Sequence, residues 1–372
     1  MTDILVTSIT PSLGTGVALR TYGVTAALAR VGPVEIRYVV FGAPVPSPEY
    51  ERLPGVTLTA LHPSRGVARG VAFARARVQG VPRELARGVS AELVSAVSGT
   101  PPEVRIIADG PVPAAALMAV ARRRPVTYLA HNLESSGFRG PDPRGTLRRF
   151  ERQTLETFAE SWMATRADEL GARALAPEAH TRYVPNVVDV AGIDPVPAAS
   201  TARLLLVADF SYGPNREAVT FLADSVMPAI WSRDPGVRLR LVGRGLEDPP
   251  GDPRIEVAGF VADLRDAYTD VAVVLVPLLR GGGSPLKFVE GLAYGLPVVA
   301  TTHAAALLED GVPGRDFVVA GDAESYARVV LERLRDPHGS AEIGAAGREL
   351  ARRCYSVESL IPHVRGGPAS GL

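Results

Sequence analysis

The chain has 372 residues, enough for two domains, and its 46% hydrophobic and 22% charged content excludes a disordered or fibrous protein. Acidic and basic residues balance at 40 each, which excludes the broad basic field that nucleic-acid binding needs. A single cysteine, Cys354, excludes an internal disulfide framework and a Cys-rich metal site, and fits a reducing, cytoplasmic setting. No signal peptide and no transmembrane run are expected from the pattern of apolar residues. Every basic residue except one is arginine; Lys287 is the only lysine. Either it is a chance survivor of an arginine-biased composition, or a compact ammonium is wanted where a planar guanidinium would not serve.

In chain order, residues 4–8 read as a strand, 21–29 as a helix and 34–41 as an extended run. The Arg-rich stretch 66–98 reads as helical. Strands follow at 104–107 and 126–129, with an Ala-rich helix at 111–122 between them. A charged amphipathic helix at 148–160, a strand at 162–165 and a short helix from Asp168 complete the first half. Residues 183–186 read as an extended piece ending in a turn. The Pro/Ala/Ser segment 195–200 has no period and reads as a linker. The alternation then restarts. Strands are expected at 204–208, 238–242, 255–258, 271–276, 297–301 and 317–319, and helices at 217–231, 263–268, 286–294 and 323–334. Strand–helix repetition in both halves predicts an α/β chain of two doubly wound, Rossmann-like domains. The expected boundaries are 1–194, a linker at 195–200, 201–345, and a C-terminal helix and tail at 346–372 that returns to the first domain.

The segment from Val276 to Thr301 is the most informative. It runs strand, glycine loop, helix, turn, strand. Gly281, Gly282 and Gly283 permit close backbone approach to a ligand. Ser284 suits a helix cap, and Pro285 suits a first turn. The free N–H groups of a helix start suit a diphosphate. Lys287 and Glu290 share a helix face, the first able to reach a phosphate and the second able to accept from ribose hydroxyls. A plain glycine turn beside a surface ion pair is the alternative. In the first half, the loop carrying Gly14 and Gly16, with Arg20 behind it, lies between a strand and a helix. It is not a dinucleotide motif, because the third glycine is missing. Ala130-His131-Asn132-Leu133-Glu134 follows a strand end, which makes His131 a candidate site residue; Glu134 could instead be an acid at a helix start.

These segments resemble the GT-B glycosyltransferases of family 4. Gly281-Gly282-Gly283-Ser284-Pro285-Leu286-Lys287 is similar to the Gly-Gly-Gly-Thr-Arg-Leu-Lys loop of a variant branch. Glu290 falls at the second glutamate of the family's Glu-seven residues-Glu pattern, and Gly295-Leu296-Pro297-Val298-Val299 matches its tail. Gly282 stands where many members have the first glutamate, which contacts donor sugar hydroxyls. Asp209 and Pro214 stand where many members hold the diphosphate with Arg and Lys, which raises the weight on Lys287. Arg216 is a possible substitute, and Asn215 reads as a helix cap. Gly243-Arg244-Gly245 resembles a turn beside the nucleotide base, and Gly259-Phe260-Val261 a turn before a short helix. Leu19-Arg20-Thr21-Tyr22 matches a Leu-Arg-Thr-Tyr branch, and His131, Asn132 and Glu134 match a His-Asn-x-Glu run facing the donor sugar.

The resemblance implies a GT-B architecture with the two domains facing a central cleft. It implies a retaining transfer of a sugar from a nucleotide-diphosphate sugar to a hydroxyl acceptor. Lys287, Glu290 and His131 would be catalytic. Gly281, Gly282, Gly283, Ser284, Gly243 and Phe260 would help bind the donor, and Gly14, Gly16, Arg20, Asn132 and Glu134 would line the acceptor side. No cofactor beyond the donor co-substrate, no metal and no nucleic-acid partner are expected, and peripheral membrane contact stays open. A sugar-nucleotide epimerase of the same architecture and an inactive nucleotide-sugar-binding module are the rival readings.

Overall fold

The fold is described from a computed structural model. It describes all residues except 1, 14, 41–42, 45–46, 64–65, 137–144, 198, 200, 262, 282–285 and 366–372. The chain forms two compact units, one of Met1–Asn186 with Leu360–Leu372 and one of Val187–Ser359.

The first unit is a seven-stranded sheet in which every described pairing is parallel. Its strands are β1 (Asp3–Thr7), β2 (Val34–Val39), β3 (Val56–Leu61), β4 (Arg105–Asp109), β5 (Thr127–Leu129), β6 (Glu160–Met163) and β7 (Thr181–Tyr183). The spatial order is β3-β2-β1-β4-β5-β6-β7, so the winding direction reverses between β1 and β4. Asp3 at the start of β1 pairs with both Val34 and Arg105, which puts β1 in the sheet centre. Its five residues are all buried, as expected of a parallel strand covered on both faces. The core gathers Val6, Ile106, Ala108, Leu117, Tyr128 and Met163.

The second unit repeats the plan with six parallel strands: β8 (Arg203–Val207), β9 (Arg238–Val242), β10 (Ile255–Gly259), β11 (Val273–Val276), β12 (Val298–Thr301) and β13 (Val318–Ala320). Their order is β10-β9-β8-β11-β12-β13, with the reversal between β8 and β11. Leu204, Leu206, Leu239, Leu241, Val273 and Leu275 form its core. Both units therefore have the doubly wound topology in which ligands bind beyond the carboxyl ends of the strands at the reversal point.

Several elements differ from the sequence reading. Strand β3 was not expected; at the sheet edge its residues stay half-buried or exposed, so its apolar signal is weak. The stretch 66–98 is three helices, Val67–Val78, Arg83–Ala86 and Ala91–Ser95, interrupted around Gly80 and Gly88. The helix expected at 217–231 is Gly213–Phe221 and Met227–Trp231 joined by a π-turn, Leu222–Val226, just before Pro228.

The unit boundaries fall at 186/187 and 359/360, not at 195–200 and 345. Composition alone marked 195–200, but the adjoining residues are docked inside the second unit. Val196 N–H donates to Tyr294 O at 3.0 Å, and Arg348 Nη2 donates to Ile193 O at 2.7 Å. The long helix Pro337–Cys354 also stays with the second unit. Only from Leu360 does the chain rejoin the first, where Arg105 Nη1 donates to Val364 O and Arg182 Nη1 to His363 O.

Candidate functional site

In the second unit the loops after β8 and β11 meet at the reversal point. Helix Leu286–Ala293 follows the β11 loop and carries Lys287 in its first turn and Glu290 one turn on. Lys287 is half-buried, and its Nζ donates to Asn215 Oδ1 across the reversal point. Asn215 is held in turn, its Nδ2 donating to Asp209 O at 2.7 Å. Burial pulls the Lys287 ammonium down to about 8, against the opposing pull of Glu290. Glu290 is buried, and that burial pushes its carboxyl up to about 7, partly offset by Tyr268 and Lys287. The Tyr268 ring is buried and stacks on Tyr294, with centroids 4.2 Å apart. The result is a dehydrated Lys–Glu pair, each held close to neutrality and therefore easily re-biased by an arriving anion.

Two glycines bring the loops together. Gly281 has φ +109, and a Cβ there would lie 2.9 Å from the Tyr212 hydroxyl. Gly243 has φ +140, and a Cβ there would overlap Ala208 O at 1.7 Å. The Gly243-Arg244-Gly245 turn is thus pressed onto the loop after β8, and Phe210 N–H donates to Arg244 O at 2.8 Å. Beside it Phe260 is 66% exposed, with the Arg244 guanidinium 4.8 Å from its ring centroid. An exposed aromatic face under a cation at a strand end is a stacking platform for a planar ring.

The structure thus gathers Gly243, Gly281, Lys287 and Glu290, with Phe260 at the ends of β9 and β10, on the carboxyl edge of one sheet. Gly282, Gly283 and Ser284 lie outside the described residues. Asn215 and Tyr268 were missed as site residues. Asn215 is not the helix cap it was read as. It is the third residue of helix Gly213–Phe221, and its side chain serves Lys287. Arg216 is exposed, and its Nη1 donates to Phe210 O and Ser211 O, the loop after β8.

In the first unit Gly14 lies outside the described residues. Gly16 begins helix Gly16–Ala29, exposed and with no atom within 4 Å of a would-be Cβ; Thr15 caps that helix. Arg20 does not line an open face. It is 1% exposed, and its guanidinium donates to Ala130 O, Val184 O, Asn186 Oδ1 and Trp162 O, tying the ends of β5, β6 and β7 together. That desolvation lowers it to about 10. A planar fork with several donors fits this structural task, which the sequence motif alone did not distinguish from ligand binding.

His131 is buried after β5, its Nε2 3.1 Å from Asp109 Oδ1 at the end of β4. Asn132 beside it is half-buried. Glu134 is buried at the start of the 3-10 turn Glu134–Ser136, and the Glu151 carboxylate accepts from the N–H groups of Glu134 and Ser135. Burial pushes Glu151 above the usual carboxylate range.

Two Rossmann-like units of this topology define the GT-B fold class. Residues 201–336, which hold the whole Lys287 cluster, match the family described as glycosyl transferases group 1. The chain is 29% identical over 233 residues to a phosphatidyl-myo-inositol mannosyltransferase of Mycolicibacterium smegmatis (strain ATCC 700084 / mc(2)155), a match covering 58% of each protein. The chain therefore spans little more than half the length of that relative. Among solved structures it is similar to HepE of Anabaena in complex with UDP and glucose, with TM-score 0.72, 14% identity and 98% of each chain covered. It is likewise similar to a sucrose-phosphate synthase of Thermosynechococcus elongatus, with TM-score 0.71, 17% identity, and 97% and 96% of the two chains covered.

Proposed function

We propose that the chain is a glycosyltransferase that takes a sugar from a nucleoside-diphosphate sugar and passes it, with retention, to a hydroxyl acceptor. The observation that carries this reading is the Lys287–Asn215–Glu290 cluster at the reversal point of the second sheet, inside the group 1 match. The complexes of HepE with UDP and glucose and the mannosyltransferase relative favour a nucleotide-sugar donor. Lys287 and the N-terminal turn of its helix would hold the diphosphate, Glu290 would accept from ribose hydroxyls, and Phe260 with Arg244 would face the base.

The transition state is oxocarbenium-like, as in glycoside hydrolysis. The bond from the anomeric carbon to the diphosphate breaks, and its electron pair goes to the phosphate oxygen. The acceptor oxygen bonds to the same face of the anomeric carbon, and its proton passes to that phosphate oxygen. Lys287 lowers the barrier by facing the charge that grows there. The reaction would run in the cytoplasm.

Binding of a nucleoside diphosphate should then depend on pH with two limbs. It weakens above about pH 8 as Lys287 gives up its proton, and below about pH 7 as Glu290 takes one up. Calorimetric titration with UDP, GDP and dTDP between pH 5.5 and 9.5 checks this (a range spanning about 1.5 units beyond each value). Glu290→Gln should abolish the acidic limb alone. A binding constant flat across that range would remove both residues from the site.

Peripheral attachment to an anionic lipid surface belongs to the same reading. On helix Val67–Val78, Val67, Val71 and Val78 are 85%, 61% and 89% exposed and fall on one stripe. The helix carries Arg69, Arg75 and Arg77 and no acidic residue. No described helix is long and apolar enough to cross a membrane. An aliphatic stripe on a basic helix suits the interface of an anionic bilayer. Sedimentation with phosphatidylglycerol vesicles should pellet the protein, and Val71→Glu with Val78→Glu should leave it in the supernatant. No pelleting of the unaltered chain at low salt would dismiss membrane contact.

A further inference from the structure

In the second unit, two side chains from the end of β12 grip the loop that follows β11. Thr301 closes β12 and caps the short helix Thr302–Ala306, its Oγ1 accepting from Ala304 N–H at 3.2 Å. The same hydroxyl donates to Leu278 O. His303, two residues on, has its Nε2 2.8 Å from Gly281 O. A carbonyl oxygen only accepts, so Nε2 carries the proton and donates, whether the ring is neutral or charged. Leu278 and Thr301 are buried, and Gly281 and His303 are half-buried.

Glycine has the most backbone freedom to lose on ordering, and Gly281 sits at φ +109 with the Tyr212 hydroxyl where a Cβ would go. Between the two held carbonyls, Arg280 Nε donates to Glu217 Oε2 at 2.7 Å. The arginine side chain of that pair is 65% exposed, and an exposed ion pair holds little. The hydrogen bonds from Thr301 and His303 are better shielded. Each orients a whole planar peptide, because a held carbonyl fixes its plane. The helix Leu286–Ala293, with Lys287 in its first turn, begins shortly after Gly281.

We propose that His303 is a positioning residue, which holds the Gly281 carbonyl and so sets the chain leaving β11 toward the Lys287 helix before a nucleoside diphosphate arrives. The role rests on the nucleotide-site reading above; the tether itself does not. Chain that is ordered in advance spares the ligand the entropy of ordering it, so affinity rises without a direct contact. Leucine at position 303 keeps the bulk and loses the donor. Glutamine keeps an N–H donor at similar reach.

The test reads the tether and the binding separately, on the full chain. Trypsin cleavage after the exposed Arg280, followed by mass spectrometry without ligand, reports how often this piece of chain opens. His303→Leu should speed that cut by about 3- to 10-fold, the scale of one hydrogen bond, and His303→Gln should leave it near the unaltered rate. Calorimetry then uses whichever of UDP, GDP or dTDP the unaltered chain binds. His303→Leu should weaken binding by about 3- to 10-fold, and His303→Gln should restore most of it. Melting temperatures without ligand should stay level in both variants; a merely structural role would lower them and leave affinity alone. Equal cleavage in the unaltered chain and His303→Leu overturns the tether. Faster cleavage with unchanged affinity overturns the positioning role, as does His303→Gln binding no better than His303→Leu. No binding of any of the three nucleotides by the unaltered chain removes the nucleotide-site reading and the role with it, while the cleavage rates still decide whether His303 holds the loop.

Discussion

Replacing Lys287 with alanine should lower sugar transfer by about 100- to 1,000-fold, the usual effect of deleting one preorganised group that faces developing charge. Diphosphate affinity should fall less, because the helix N-terminal turn and Glu290 remain. Stability should not fall, since the lysine is held in a dehydrated site that already lowers its pKa to about 8. Circular dichroism and melting therefore separate lost charge from lost fold. Lys287→Arg is the sharper control. A guanidinium keeps the charge but not the compact shape that fits beside Asn215 Oδ1, so it should restore binding better than turnover. Turnover unchanged in Lys287→Ala would take the residue out of the mechanism.

The largest stability effect is expected at Gly243. Its φ of +140 is strained for any L side chain, and an added Cβ would overlap the Ala208 carbonyl oxygen, which cannot swing aside. That backbone is fixed on both sides, with Ala208 N–H donating to Val242 O and Gly243 N–H to Gly259 O. Gly243→Ala should cost more than about 4 kcal/mol, at the extreme of single substitutions, and leave the second unit unfolded or nearly so. Gly251→Ala, at a site with no atom within 4 Å and no left-handed φ, is the control and should be near neutral. Urea unfolding of both variants reads the difference directly. Equal midpoints would mean that the turn at 243–245 is not packed as described.

What was legible in the sequence follows from what is local. The strands of the second unit showed as short runs rich in leucine and valine, and the glycine loop with Lys287 and Glu290 lay within ten residues of chain. Asn215 was not legible as a site residue, because its partner Lys287 is 72 residues away and a helix start is the commoner use of asparagine. Arg20 was misread for the opposite reason. Its motif is conspicuous, but its four acceptors come from three strand ends that only the fold assembles. The segment at 195–200 has the composition of a linker, and the composition does not reveal that Val196 is hydrogen-bonded to Tyr294.

The central claim is that the edge carrying Lys287 and Glu290 binds a nucleoside diphosphate. The most direct test is the melting temperature of the unaltered chain with saturating UDP, GDP, dTDP, ADP or NAD, one at a time. A ligand that binds only the folded state at about 100 times its Kd adds about 2.7 kcal/mol, which moves melting by several degrees. A clear rise with one nucleoside diphosphate and none with NAD is the predicted result, and it identifies the donor base. No rise with any diphosphate contradicts the assignment of this edge as a nucleotide site, and the transferase reading falls with it.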